Sequence, residues 1–303
     1  YHIFDTDLVA PNGISLPSFN SGDTVVVKEG VTLINEFNAA LSVGAEFSEF
    51  FLSGTVISEG IGLRFGSTFG GTRAEASGFI SSTGSVFTND GIAVLLVGAN
   101  TDEFNELRLN NQGTVTSLTG EGVKLALAKE AAFTNSGLVS AAVLPVAFDD
   151  IVYMDFLNTG TITSTASSQL GLLGTAVRML DSGGATPFSN AKFLNDGTIS
   201  SQGDALNADL RGTFEGTNSG VMQGDVTIEA GFGGFFTNTG EISGGVEITG
   251  FGFGLFLFNN LGTITENITF NTAALAKNDG TIVGNLFLSD SNDVYFGSGE
   301  GVV

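Results

Sequence analysis

Few residues in this chain carry the chemistry of an active site. The only histidine is His2 and there is no cysteine, so a Ser–His relay and a thiolate metal site are both set aside. No Gly-x-Ser-x-Gly elbow occurs. Gly252-Phe-Gly254 alternates with Phe inside a strand-like run rather than opening a helix, so it is no phosphate loop. Carboxylate and basic chemistry remains. Arg64, Lys124 and Arg178 fall at equivalent places in a strand pattern, with Asp149-Asp150 on a neighbouring corner. A polysaccharide lyase or glycosidase would need such groups beside a groove. A satisfied surface ion pair is the simpler expectation, and the chain reads as non-enzymatic. Calcium chemistry is the other option: Asp290, Asn292 and Asp293 gather oxygen-bearing side chains of the kind Ca2+ takes. Asp5/Asp7 and Asp102/Glu103/Glu106 are lesser acidic groups.

The charge balance narrows the partners. Thirty-two acidic residues against ten basic ones give a net charge of -22. Such a field repels nucleic acid and anionic lipid, and it suits divalent cations or salty water. Only 14% of residues are charged, so Thr, Ser, Asn and Gly must cover much of the surface. No apolar run approaches the ~20 residues of a membrane-spanning helix. The chain begins at Tyr1, which is read as the mark of a processed or trimmed product.

The elements that must position these residues are announced by an Asn-x-Gly triplet. It begins at Asn89, Asn111, Asn135, Asn158, Asn195, Asn218, Asn238, Asn260 and Asn278. A recurrence in the twenties indicates stacked repeats rather than a globular core. The clearest unit runs Thr114-Val-Thr-Ser, Gly122-Val-Lys-Leu-Ala-Leu and Ala132-Phe-Thr-Asn135, three alternating stretches separated by turn residues. Three short strands per repeat predict an all-β fold: a parallel β-helix of about 22–24 residues per coil. About 13 coils at the inter-strand spacing make a rod roughly 60 Å long. Without hexapeptide repeats, the right-handed form is expected. Residues 1–34 lack the triplet and read as an N-terminal cap or first coil, and residues 35–303 as one continuous solenoid.

Asn and Gly both tolerate left-handed backbone, which predicts a tight corner at each triplet. In register, the nine Asn side chains would form an amide ladder. Phe87, Phe133, Phe156, Phe193, Phe236 and Phe258, each two residues before an Asn, would stack inside. The longest repeat holds an excursion from Asp181 to Phe188, expected to project as a loop. Alternation cannot place Phe251, Phe253 and Phe256 on one face. Some of these rings, with Phe232 one coil below, are therefore expected at the surface as a self-association patch.

Repeats such as Asn-Thr-Gly-Thr-Ile-Thr (158–163) and Asn-Asp-Gly-Thr-Ile-Ser (195–200) resemble the β-helical passengers of bacterial autotransporters and haemagglutinin-like adhesins. The last coil, with Gly-Asn-Leu-Phe-Leu and Asp290/Asp293, is similar to tracts that precede calcium repeats in secreted haemolysin-type proteins, although no complete Gly-Gly-x-Gly-x-Asp nonapeptide is present. The resemblance covers residues 50–296 and implies a secreted or cell-surface protein. It is specific for architecture and not for activity.

The expected function is therefore a non-catalytic extracellular rod that associates with copies of itself into a surface or matrix filament. Nothing caps the last coil, Gly280 to Gly299, in the sequence, which adds to that expectation. The alternative is an adhesin that binds surface glycans through the 181–188 loop. Thr114/Thr116, Thr161/Thr163 and Thr263/Thr265 would suit an ice-binding face. Leu138, Val221/Gln223 and Glu241 break that ladder.

Overall fold

The computed structural model describes residues 1–15, 22–36, 39–44, 47–66, 75–99, 105–165, 174–181, 188–250, 254–288 and 292–297. These contain no helix, and their strands pair in parallel as the coils of one β-solenoid. A short coil cannot satisfy its own backbone groups, so each hydrogen-bonds to the coils before and after it.

Three sheets run along the rod. The first holds the strands that lead into the triplets from Asn111 onward, among them Glu106–Asn111, Asn190–Asn195, Phe214–Asn218 and Phe256–Asn260. The second follows the triplet, as in Thr114–Ser117 and Thr161–Ser164. The third contains Ile92–Val97 and Val177–Leu180. Glu121–Asn135 and Leu144–Asn158 pass from the third sheet to the first without a break. They turn at Leu127 and Asp150, whose φ values of 60° and 56° are left-handed. Within residues 1–34, His2–Phe4, Leu8–Val9 and Ile14–Ser15 already pair with the next coil's three strands.

The core is built in columns. Phe133 stacks on Phe156, and Phe156 lies flat on Phe193 with centroids 4.9 Å apart. Gly216 comes next in register, and the Phe214 ring fills the gap: a Cβ on Gly216 would sit 2.4 Å from it. Phe236 and Phe258 continue the stack. Small residues thus sit beside large ones along the strand (Ala131/Phe133, Phe214/Gly216, Gly234/Phe236), which keeps the interior filled as the coil size changes. Phe87 is not part of this stack. It lies on the second sheet, in register with Ile57 and Thr116, and points outward.

Eight of the nine Asn form the ladder. From Asn111 to Asn278, seven side-chain Nδ2–H groups each donate to the next Oδ1 at 2.7–2.9 Å. All eight are buried. Asn89 is the exception: it follows a second-sheet strand, is exposed, and donates to Glu59 at 2.8 Å. Its place below Asn111 is taken by Ile80.

The corner glycines also work differently from expectation. Among the triplets only Gly91 has a positive φ. Elsewhere the preceding coil forces the choice: a Cβ on Gly137, Gly160, Gly220 or Gly262 would lie 2.0–2.2 Å from the carbonyl oxygen of the glycine beneath. Close stacking, not backbone strain, requires glycine there.

Candidate functional site

Strand alternation sends the residue three before each ladder Asn outward, on the first sheet. Read in register, that column is Arg108, Ala132, Asp155, Lys192 and Glu215, then Phe235, Leu257, Leu275 and Val294. Its character changes abruptly from charged to apolar. The flanking column, two residues earlier, runs Glu75, Glu106, Glu130, Tyr153 and Asn190.

The charged half is grooved. The side chain of Ala132 is too short to fill its place between Arg108 and Asp155. A depression of about 540 Å³ opens there, lined by Glu106, Glu130, Tyr153, Asp155, Lys192 and Glu215 among others. A second depression of about 460 Å³ adjoins it, sharing Ala132, Asp155, Lys192 and Glu215. A smaller one lies on the same face between Glu49 and Arg108. Arg108 is held by Glu106. Tyr153 is 49% exposed.

The apolar half is exposed. Phe235 is 39% and Leu257 and Val294 each 45% accessible, and Leu255 flanks Leu257 on the same strand face. At the adjoining corner Phe232 packs edge-on against Phe188, with centroids 4.5 Å apart. Phe232 is thus at the surface, with a partner from its own chain. Phe256 is a correction: it faces inward between Gly234 and Ala274 and is fully buried. In Phe256–Asn260 the in–out alternation places Phe256 and Phe258 in the core and Leu257 outside. Phe251 and Phe253 lie outside the described residues. The missed residues, Phe235, Leu255 and Leu257, show in the sequence only when the repeats are aligned on their Asn.

Arg64, Lys124 and Arg178 do share one outward column of the third sheet, interleaved with Leu95 and Ala147. Asp149 joins two of them, 2.6 Å from Lys124 and 3.0 Å from Arg178. Further along that face Asp204, Asp209, Asp225, Glu229 and Glu247 gather. Burial, then the neighbouring Asp225 and Glu247, raises Asp204 above the usual carboxylate range. Burial raises Glu229 as well, followed by the charges of Asp209 and Glu247; Asp209 is raised by burial and by Asp181.

The excursion of the longest repeat is clamped at its base. The buried Asp181 accepts two bonds from Arg211, at 2.8 and 2.9 Å, and one from the Ser189 hydroxyl at 2.8 Å. Residues 182–187 lie outside the described set, as do Asp102, Glu103 and Asp290. Of the proposed calcium residues, Asn292 and Asp293 are described. Asp293 accepts the backbone N–H of Ala274 at 2.9 Å, a structural task. No group of three or more metal-ligating side chains occurs among the described residues.

On the second sheet the outward column reads Thr114, Leu138, Thr161, Thr198, Val221, Glu241 and Thr263. Leu138, Val221 and Glu241 interrupt the threonines of this column, while in the neighbouring column Thr116, Ser140, Thr163 and Ser200 run over four coils before Gln223 ends the series. No described helix is long and apolar enough to cross a membrane.

Fold and surface together define a parallel β-solenoid whose distinctive chemistry lies on one outer face. No family model, curated protein or solved structure matches the chain.

Proposed function

We propose that this chain is a non-catalytic extracellular rod that associates with further copies of itself through the apolar half of its first sheet. The observation that carries this reading is the run Phe235, Leu257, Leu275 and Val294, four successive coils with an uncharged apolar side chain on the same outward position. On a chain of net charge -22, a contiguous apolar strip is unusual and marks a contact surface. Two flat faces can pack with sheets about 10 Å apart, burying both strips. The hold of Asp149 on Lys124 and Arg178 supports a structural rather than catalytic role for those bases.

Pairing two copies strip to strip is self-complementary and closes as a dimer. The filament expected from the repeats needs a second, head-to-tail contact in addition. Sedimentation velocity over a concentration series tests the strip. The wild-type protein is expected to form dimers or larger species, more readily as salt screens the net charge. Phe235→Lys with Leu257→Lys is expected to leave monomers with an unchanged β-sheet circular dichroism spectrum. A wild-type monomer at every concentration, or a double variant that associates as well as wild type, overturns the proposal.

A further inference from the structure

We infer that the charged half of the first sheet, centred on Ala132, is a binding groove for a linear glycan that is uncharged or carries amino groups. This site adjoins the self-association strip and shares one residue with it, since Phe235 lines the far end of the second depression.

Its shape comes first. The two larger depressions merge along one column, from Arg108 through Ala132 to Glu215. Five coils at the inter-strand spacing give a groove about 20 Å long, parallel to the rod axis. An elongated groove fits a polymer laid along the rod rather than a compact small molecule.

The repeat of the groove then selects the polymer. Outward positions recur every ~4.8 Å, one per coil. That is close to the length of one pyranose ring in an extended glycan, so successive sugars meet the same column in successive coils. An extended peptide presents same-side groups every ~6.8 Å and falls out of step within two coils.

The lining sets the charge. Glu106, Glu130, Asp155 and Glu215 face the groove against Arg108 and Lys192, and Arg108 is already engaged by Glu106. Carboxylates only accept hydrogen bonds, and sugar hydroxyl and amino groups donate them. Tyr153, half-exposed and lining the groove, brings an aromatic ring that can pack on the C–H face of a sugar. A uronic-acid polymer would instead meet an excess of like charge.

Isothermal titration with sugar hexamers tests this on the intact chain. The probes are glucosamine, N-acetylglucosamine, glucose and galacturonic acid hexamers, and a lysine-rich peptide of similar length. At least one of the first three is expected to bind, and the galacturonic acid hexamer to bind at least tenfold more weakly. Tyr153→Ala is expected to weaken binding tenfold or more. Ala132→Arg, whose side chain fills the groove and pairs with Asp155 and Glu130, is expected to abolish it. Circular dichroism should show both variants folded. Leu257→Lys with Val294→Lys, both on the strip and outside the groove lining, should still bind, which separates this site from self-association. The inference is overturned if no hexamer binds, if only the peptide or the galacturonic acid hexamer binds, or if a folded Ala132→Arg variant binds as wild type does.

Discussion

The Asn ladder has a direction, and removing rungs should reveal it. Each rung donates upward through Nδ2 and accepts from below through Oδ1. Take Asn195→Ala. The Oδ1 of Asn218 loses its donor at 2.8 Å, inside a fully buried column. The Nδ2 of Asn158 loses its acceptor but keeps the Gly160 carbonyl, at 3.3 Å. Two lost bonds contribute about 1 kcal/mol each, and an orphaned buried acceptor costs roughly 1–3 more. The expected destabilisation is about 3–5 kcal/mol. Asn278→Ala differs, because Gly297 lies above it in register and no rung is orphaned. Its expected cost is about 1 kcal/mol. Asn111→Ala separates ladder polarity from fraying at the ends. It is the first rung, yet its loss orphans the Oδ1 of Asn135, so about 2–4 kcal/mol is expected. A solenoid need not unfold in one step, so denaturant titration should be paired with hydrogen exchange of Asn190–Asn195 and Phe214–Asn218. If all three variants fall within about 0.5 kcal/mol of one another, the reasoning from ladder direction is refuted.

Two further perturbations test other parts of the structure. Asp181→Ala leaves Arg211 and Ser189 without the carboxylate that holds them, and should cost about 2–3 kcal/mol, allowing for the exposure of Arg211. Limited proteolysis between Asp181 and Phe188 should accelerate; unchanged cleavage would show that the clamp does not hold the excursion. The third-sheet carboxylates give a pH signature. Asp204, Asp209 and Glu229 are raised in the folded state, so folding takes up protons, and the stability they contribute falls as pH rises from the ordinary carboxylate values, 3.8 for Asp and 4.5 for Glu, through the raised folded ones. The triple variant Asp204→Asn, Asp209→Asn, Glu229→Gln should therefore melt higher than wild type at pH 7, by roughly 0.2–1 kcal/mol per relieved like-charge pair. The gain should vanish below pH 3.8, where wild type is protonated as well. An equal difference in melting temperature at both pH values would contradict this.

Much of the fold was legible because stacking imposes its period on the sequence. Asn111 to Asn278 could be read as a ladder since a buried amide column needs an Asn in every coil. Asn89 misled because the same triplet can end a second-sheet strand, where nothing requires its amide to be buried. Phe87 failed with it, being on the outward phase of that strand. The corner glycines were correctly located but for a different cause: a carbonyl oxygen about 2 Å away leaves no trace in local sequence. The candidate site was less legible. Outward positions carry no periodic constraint, so Arg108, Asp155, Lys192, Phe235 and Leu257 look unrelated until coils are aligned. Leu257 is masked in the sequence by its neighbours Phe256 and Phe258, which alternation sends into the core while Leu257 goes outside.

Self-association through the first-sheet strip is tested most directly by proximity. The chain has no cysteine, so a single Leu257→Cys reports only on that face. With a short bismaleimide cross-linker, Leu257→Cys protein should give a covalent dimer whose yield rises with concentration. Glu59→Cys, on the exposed turn that follows a second-sheet strand, should stay monomeric. Equal yields from the two positions, or no dimer from Leu257→Cys at any concentration, would contradict a rod that meets its own kind through this strip.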